Sequence, residues 1–150
     1  MNRLNRKGFT LVELLAVIVI LAIVVGITLV TVLPTLKNTR QEAFELTANT
    51  VADYLEKQYQ AQLVGDLSGV TVSVEIPTET SSAAEKTISD LDLKKAGVKP
   101  DNYRAASWYI NTTTGRACVT LTAATRTNPK DGKVGEYHDV DPDEISSNGC

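Results

Sequence analysis

Residues 9–33 are apolar almost without interruption, and the one charged side chain among them is Glu13. A helix of 25 residues is about 37 Å long at about 1.5 Å per residue. That length crosses a hydrocarbon core of about 30 Å. The run is rich in β-branched residues, which are weak helix formers in water. In lipid the backbone must pair with itself, so a helix is imposed. A carboxylate at the middle of such a helix raises its insertion free energy by roughly 2.5–3.5 kcal/mol. Glu13 lies near the start of the run and can lean toward the interface. Its presence there still points to a function, the default reading of an ionisable residue in a membrane segment.

A secretory signal does not fit. It has an apolar core of about 7–15 residues with the cleavage site after it. Here the run is too long, and Lys7-Gly8 precedes it. Arg3, Arg6 and Lys7 set the leader in the cytoplasm by the positive-inside bias, which puts the rest of the chain outside.

The stretch Lys7-Gly8-Phe9-Thr10-Leu11-Val12-Glu13-Leu14-Leu15 resembles the N-terminal segment of type IV prepilins. The resemblance covers residues 6–35. It implies that a membrane peptidase cuts between Gly8 and Phe9 and methylates the new amino terminus of Phe9. It implies an assembly role for Glu13, whose carboxylate would pair with the terminal amine of a neighbouring subunit. It also implies the family's α+β fold: a long N-terminal helix on a small antiparallel sheet, with a C-terminal loop region closed by a disulfide. The expected divisions are a leader at 1–8, a membrane and filament-core helix at 9–35, its amphipathic continuation at 36–64 and a β-rich head at 65–150.

The partners so implied are copies of the chain and other pilins, the prepilin peptidase, the membrane platform of an assembly machine, and the membrane itself before assembly. The expected location is a single-pass precursor, then an extracellular filament of the kind that serves adhesion and twitching motility. A pseudopilin of a type II secretion or DNA-uptake system is the alternative. A membrane-anchored binding module that never polymerises is the third.

Gly26 and Pro34 are expected to interrupt the first helix, since Pro removes an amide donor and clashes with the preceding turn. Beyond it, Phe44, Ala48, Val51, Leu55, Tyr59 and Leu63 recur at spacings of three and four, the stripe of an amphipathic helix that ends near Gly65. Residues 70–76 alternate as a half-buried strand, and 77–82 read as a polar loop. Ser89, Asp90, Asp92, Lys94, Lys95 and Gly97 mark both ends of a short helix. Strands at 105–111 and 116–122 flank a Gly-containing hairpin loop, with Trp108 and Ile110 on one face. Residues 123–150 read mostly as turn and loop, with a turn cluster at 128–132.

The chain carries a formal charge of −3, and without its cationic leader it is near −6. That balance argues against general nucleic-acid binding, which needs clustered Lys and Arg. Cys118 and Cys150 are the only cysteines. In an exported chain a disulfide is the natural reading, and the resemblance supports it; two free thiols are the alternative. The bond would close a loop of 33 residues, which the chain-entropy model values at roughly 3–4 kcal/mol.

Asp139, Asp141, Asp143 and Glu144 could supply oxygen ligands to calcium. They lack the Gly and the distal Glu of an EF-hand loop, and a solvated acidic loop is the favoured reading. No other cofactor is expected. Asn111-Thr112-Thr113 matches a glycosylation acceptor but reads better as turn chemistry. With one histidine, no nucleophile motif and no phosphate-binding loop, no catalytic residue is assigned.

Overall fold

The structure, a computed structural model, describes residues 9–64, 85–111, 113–138, 140–148 and 150. Helix α1 (Leu11–Val64) comes first. It is followed by β1 (Lys86–Thr87), α2 (Asp90–Lys95), a 3₁₀ turn (Pro100–Asn102), β2 (Tyr103–Asn111), β3 (Arg116–Ala123) and β4 (Glu144–Ser146). The expected strand at 70–76, the loop after it and the stop at Gly65 lie outside the described residues. The chain divides into two compact units, one ending at Leu36 and one running Lys37–Cys150.

The first unit is the apolar part of α1. It is long and apolar enough to cross a membrane by length and composition, and none of it is buried among the described residues. Leu11 is 81% exposed and Ile27 66%. This fits a single-pass, membrane-anchored precursor. Gly26 and Pro34 were expected to interrupt the helix and do not; α1 runs through both. Threonine hydroxyls turn inward along this stretch. Thr28 Oγ1 donates to the Val24 carbonyl at 2.7 Å, and Thr31 Oγ1 to the Thr28 carbonyl at 3.1 Å. Thr35 Oγ1 donates to the Thr31 carbonyl at 3.0 Å. Back-bonding of this kind hides polar atoms in an apolar segment, and neighbouring hydroxyls help satisfy the backbone around a proline.

The second unit has one core. From α1 it receives Phe44, Ala48, Val51, Ala52 and Leu55, all buried, with Tyr59 partly covered. Leu63, expected on the same stripe, is 68% exposed; the packed face ends at Tyr59. The sheet is antiparallel in the order β1-β2-β3-β4. Ala106, Trp108 and Ile110 of β2 alternate into the core beside Val119 and Leu121 of β3. Burying a side chain of that size contributes roughly 1.5–3 kcal/mol. Glu56 of α1 accepts from the Ala117 amide at 2.9 Å, which ties the helix to the start of β3.

Both ends of α2 follow from sequence. Ser89 Oγ accepts from the Asp92 amide at 3.2 Å. At the other end the Val98 amide donates to the Leu93 carbonyl at 2.9 Å and that of Gly97 to Lys94 at 3.0 Å. Gly97 has φ +82°, so this is a Schellman closure, with Leu93 and Val98 both in the core. In the hairpin Asn111 Oδ1 accepts from the Thr113 and Thr114 amides at 3.1 and 3.3 Å, the turn chemistry expected of it.

Residues 123–150 hold more order than expected. β4 pairs with β3 over Thr120–Ser146, Leu121–Ile145 and Thr122–Glu144. Asp131 and Gly132, both at positive φ, make a tight turn between the bridged Lys130 and Lys133. Ion pairs hold this segment down: Lys130–Asp90 at 2.6 Å, Lys133–Asp101 at 3.3 Å and Lys99–Glu136 at 2.7 Å.

Candidate assembly site and the C-terminal disulfide

α1 opens with Thr10-x-x-Glu13, a spacing that lets two side chains cap one helix start. The Thr10 carbonyl accepts from the Leu14 amide at 3.2 Å, which makes Thr10 the N-cap. Its own amide and its Oγ1 both donate to Glu13 Oε2, at 2.9 and 3.0 Å. The Glu13 amide donates back to Thr10 Oγ1 at 3.3 Å. The carboxylate thus lies at the positive end of the helix dipole, where an anion is stabilised. Both bonds land on Oε2, and Oε1 has no partner among the described residues. Phe9 is 88% exposed; Gly8 lies outside the described residues.

Cys118 and Cys150 form a disulfide with a Cα–Cα distance of 4.6 Å. Ser147 prepares the approach. Its amide donates to the Val119 carbonyl at 2.8 Å, and its Oγ accepts from the Val119 amide at 3.0 Å and donates to the Ala117 carbonyl at 3.1 Å. The Asn148 amide reaches Asn49 Oδ1 on α1 at 2.9 Å. The last residues therefore stay against β3 and the helix through hydrogen bonds as well as the crosslink.

The acidic loop engages protein cations. Asp141 lies 3.4 Å from Lys37 Nζ, and Asp143 lies 3.7 Å from Arg104. Glu144 accepts from Thr122 Oγ1 at 3.5 Å. Asp139 falls outside the described residues, and among those described no group of three or more His, Cys, Asp and Glu is placed to hold a metal ion. His138 Nδ1 sits 3.2 Å from the Gly135 carbonyl. The reciprocal cap, Ser147 and Asn49 were not singled out from sequence as site residues. The Thr-x-x-Glu spacing is the signal that identifies the first; no local pattern marks the other two.

Residues 3–29 match the family model for the prokaryotic N-terminal methylation motif, the class III signal of type IV pilins. No curated protein and no solved structure matches the chain. Long apolar helix, four-stranded antiparallel sheet and Cys118–Cys150 disulfide together make a type IV pilin-like α+β fold. The signal motif supports a type IV pilin-like family, whose members include pilins and pseudopilins. Such proteins are structural, and the motif implies processing by a prepilin peptidase followed by assembly.

Proposed function

We propose that the mature chain begins at Phe9 and is a structural subunit of a type IV pilus or type IV-like filament. The observation that carries this is the coincidence of the matched segment with an apolar helix that nothing among the described residues covers. A surface of that size needs an apolar surrounding. The bilayer supplies it before assembly. Afterwards the same helix of neighbouring subunits does, which keeps it from water. Oε1 of Glu13 then accepts from the methylated amine of a neighbour's Phe9. An unpaired charge in such a core is strongly disfavoured, so the pairing selects one axial register.

Mass spectrometry of the protein from sheared filaments tests this. The expected N-terminal residue is Phe9 with one added methyl. An intact Met1, or a cut beyond Leu33, sinks the reading. Correct processing without surface fibres, together with loss of secretion or transformation on deletion, would identify a pseudopilin.

A further inference from the structure

Two exposed patches within the unit Lys37–Cys150 have matching spacing and opposite charge. On α1, Leu46 is 68% exposed, on the side away from the buried stripe of Phe44, Ala48, Val51 and Leu55. Glu42 lies one turn before it on the same face, and Glu45 adjoins them both. Both acids are exposed, and neither has an ion pair or a side-chain hydrogen bond among the described residues. Three residues apart on a helix, they are neighbours and repel each other, so a cation brought from outside is favoured there. Thr50 donates its Oγ1 to the Leu46 carbonyl at 2.9 Å, so its hydroxyl needs no outside partner. On α2, Leu91 is 60% exposed, and Lys94 and Lys95 follow on its face while Asp92 and Leu93 turn inward.

An exposed leucine alone needs no explanation; the flanks of these two select a partner. Glu42 stands four residues from Leu46, and Lys95 four residues from Leu91. At about 1.5 Å per residue each pair spans about 6 Å. An α2 laid antiparallel on α1 therefore brings Leu91 onto Leu46 and the lysines onto the acids together. The two leucines do not cover each other within one chain, since both stay more than half exposed. Copies of an acidic chain repel each other in general. Lys94-Lys95 is the one adjacent pair of cations beyond residue 8, so it is where one copy can best approach another's acids.

We propose that Leu46 with Glu42 and Glu45 on α1 of one copy docks against Leu91 with Lys94 and Lys95 on α2 of the next. The two patches differ, so the contact runs on from copy to copy instead of closing as a pair. It rests on the filament reading for what gathers the copies. Exposed ion pairs are weak, and this contact acts because the apolar helices hold copies side by side at high effective concentration.

The full chain carrying benzoylphenylalanine in place of Leu46 is reconstituted in phosphatidylcholine vesicles and irradiated. A covalent dimer should form, and its crosslink should map to the tryptic peptide 87–94, which contains Leu91. Lys94→Glu with Lys95→Glu should lower the dimer yield roughly tenfold, since two exposed ion pairs become repulsions. Adding Glu42→Lys and Glu45→Lys to that variant should restore it. High salt should lower the yield with all four native side chains in place, a readout that needs no charge variant to fold. The proposal is overturned by no dimer, by a crosslink that maps elsewhere, by a yield indifferent to lysine reversal and salt, or by failure of the fourfold reversal to restore it. An intact Met1 in the mature protein overturns the filament reading alone; a crosslink outside 87–94 in correctly processed protein overturns the docking alone.

Discussion

Thr10 and Glu13 cap the start of α1 reciprocally, two donors from Thr10 meeting Oε2 of Glu13 while the Glu13 amide returns a bond to Thr10 Oγ1. The carboxylate placed in an apolar run is therefore already half satisfied within its own chain. The capping box lowers the cost of carrying the charge in a subunit stored in lipid. It also leaves Oε1 for a second donor.

Glutamine keeps the geometry of a capping box, whereas alanine does not. Glu13→Gln and Glu13→Ala therefore separate capping from charge. Both should insert into the membrane as well as the parent or better, since a charge leaves lipid. Both should yield few filaments, because the neighbour's amine loses its counter-charge. Sheared-filament yield beside carbonate-resistant membrane protein measures the two effects. Normal yield with Glu13→Gln would mean that capping, not charge, is what assembly requires.

Gly135 has no room for a side chain. A Cβ there would lie 2.8 Å from the Asn102 Cα, 2.9 Å from its carbonyl oxygen and 3.1 Å from that of Ala124. All three are backbone atoms, and the Gly135 amide is bonded to Ala124 at 2.9 Å. The segment cannot move aside cheaply. Gly135→Ala should destabilise by about 1–3 kcal/mol, as overpacking does, and at about 4 °C per kcal/mol for a domain of this size the loss is visible in a melting curve. An unchanged melting temperature would show that the 3₁₀ turn yields.

Local signals carried much of this fold. Ser89 and Gly97 bound α2 through side-chain and backbone bonds that need only their near neighbours. The stripe from Phe44 to Leu55 and the alternation through Trp108 and Ile110 were legible because each has the period of its element. β4 was not legible. Glu144–Ser146 is three residues long, and its pairing depends on β3 bringing Thr120 and Thr122 alongside. Ser147 and Asn49 likewise act across 30 and 99 residues of sequence, a separation at which no spacing rule applies. Pro34 misled for a related reason. Its local cost is certain, but the helix is long on both sides and runs through it.

Lys99 and Glu136 give a pH signature with a definite sign. The Lys99 ammonium, bonded to the Glu136 carboxylate, holds it below the ordinary glutamate range. A depressed folded value stabilises above the unfolded value of roughly 4.3, and the contribution is lost as pH falls through the folded value. The Lys99 ammonium is shifted upward by the same partner, so its share persists below the ordinary lysine range and disappears at higher pH. Both side chains are largely exposed, so the effect is small and screened by salt. The difference in melting temperature between the parent and Glu136→Gln should shrink between pH 5 and pH 3, and shrink again in high salt. A difference that grows on acidification would contradict the assigned pairing.

The disulfide and the hydrogen bonds around Ser147 hold the same segment by independent means. Cys118→Ser with Cys150→Ser removes the crosslink, worth roughly 3–4 kcal/mol in the chain-entropy model. It leaves the Ser147 bonds to Ala117 and Val119 and the Asn148 bond to Asn49 in place. The double variant should melt at a lower temperature, yet residues 144–148 should keep measurable protection from hydrogen exchange below that melt. Single Asn49→Ala should show the reverse: a small change in melting temperature, with faster exchange at the Asn148 amide. Thiol labelling of the denatured, non-reduced parent should find no free cysteine. Full labelling of both cysteines, or immediate exchange throughout 144–148 once the crosslink is gone, would show that the sheet does not hold β4 in the way these contacts require.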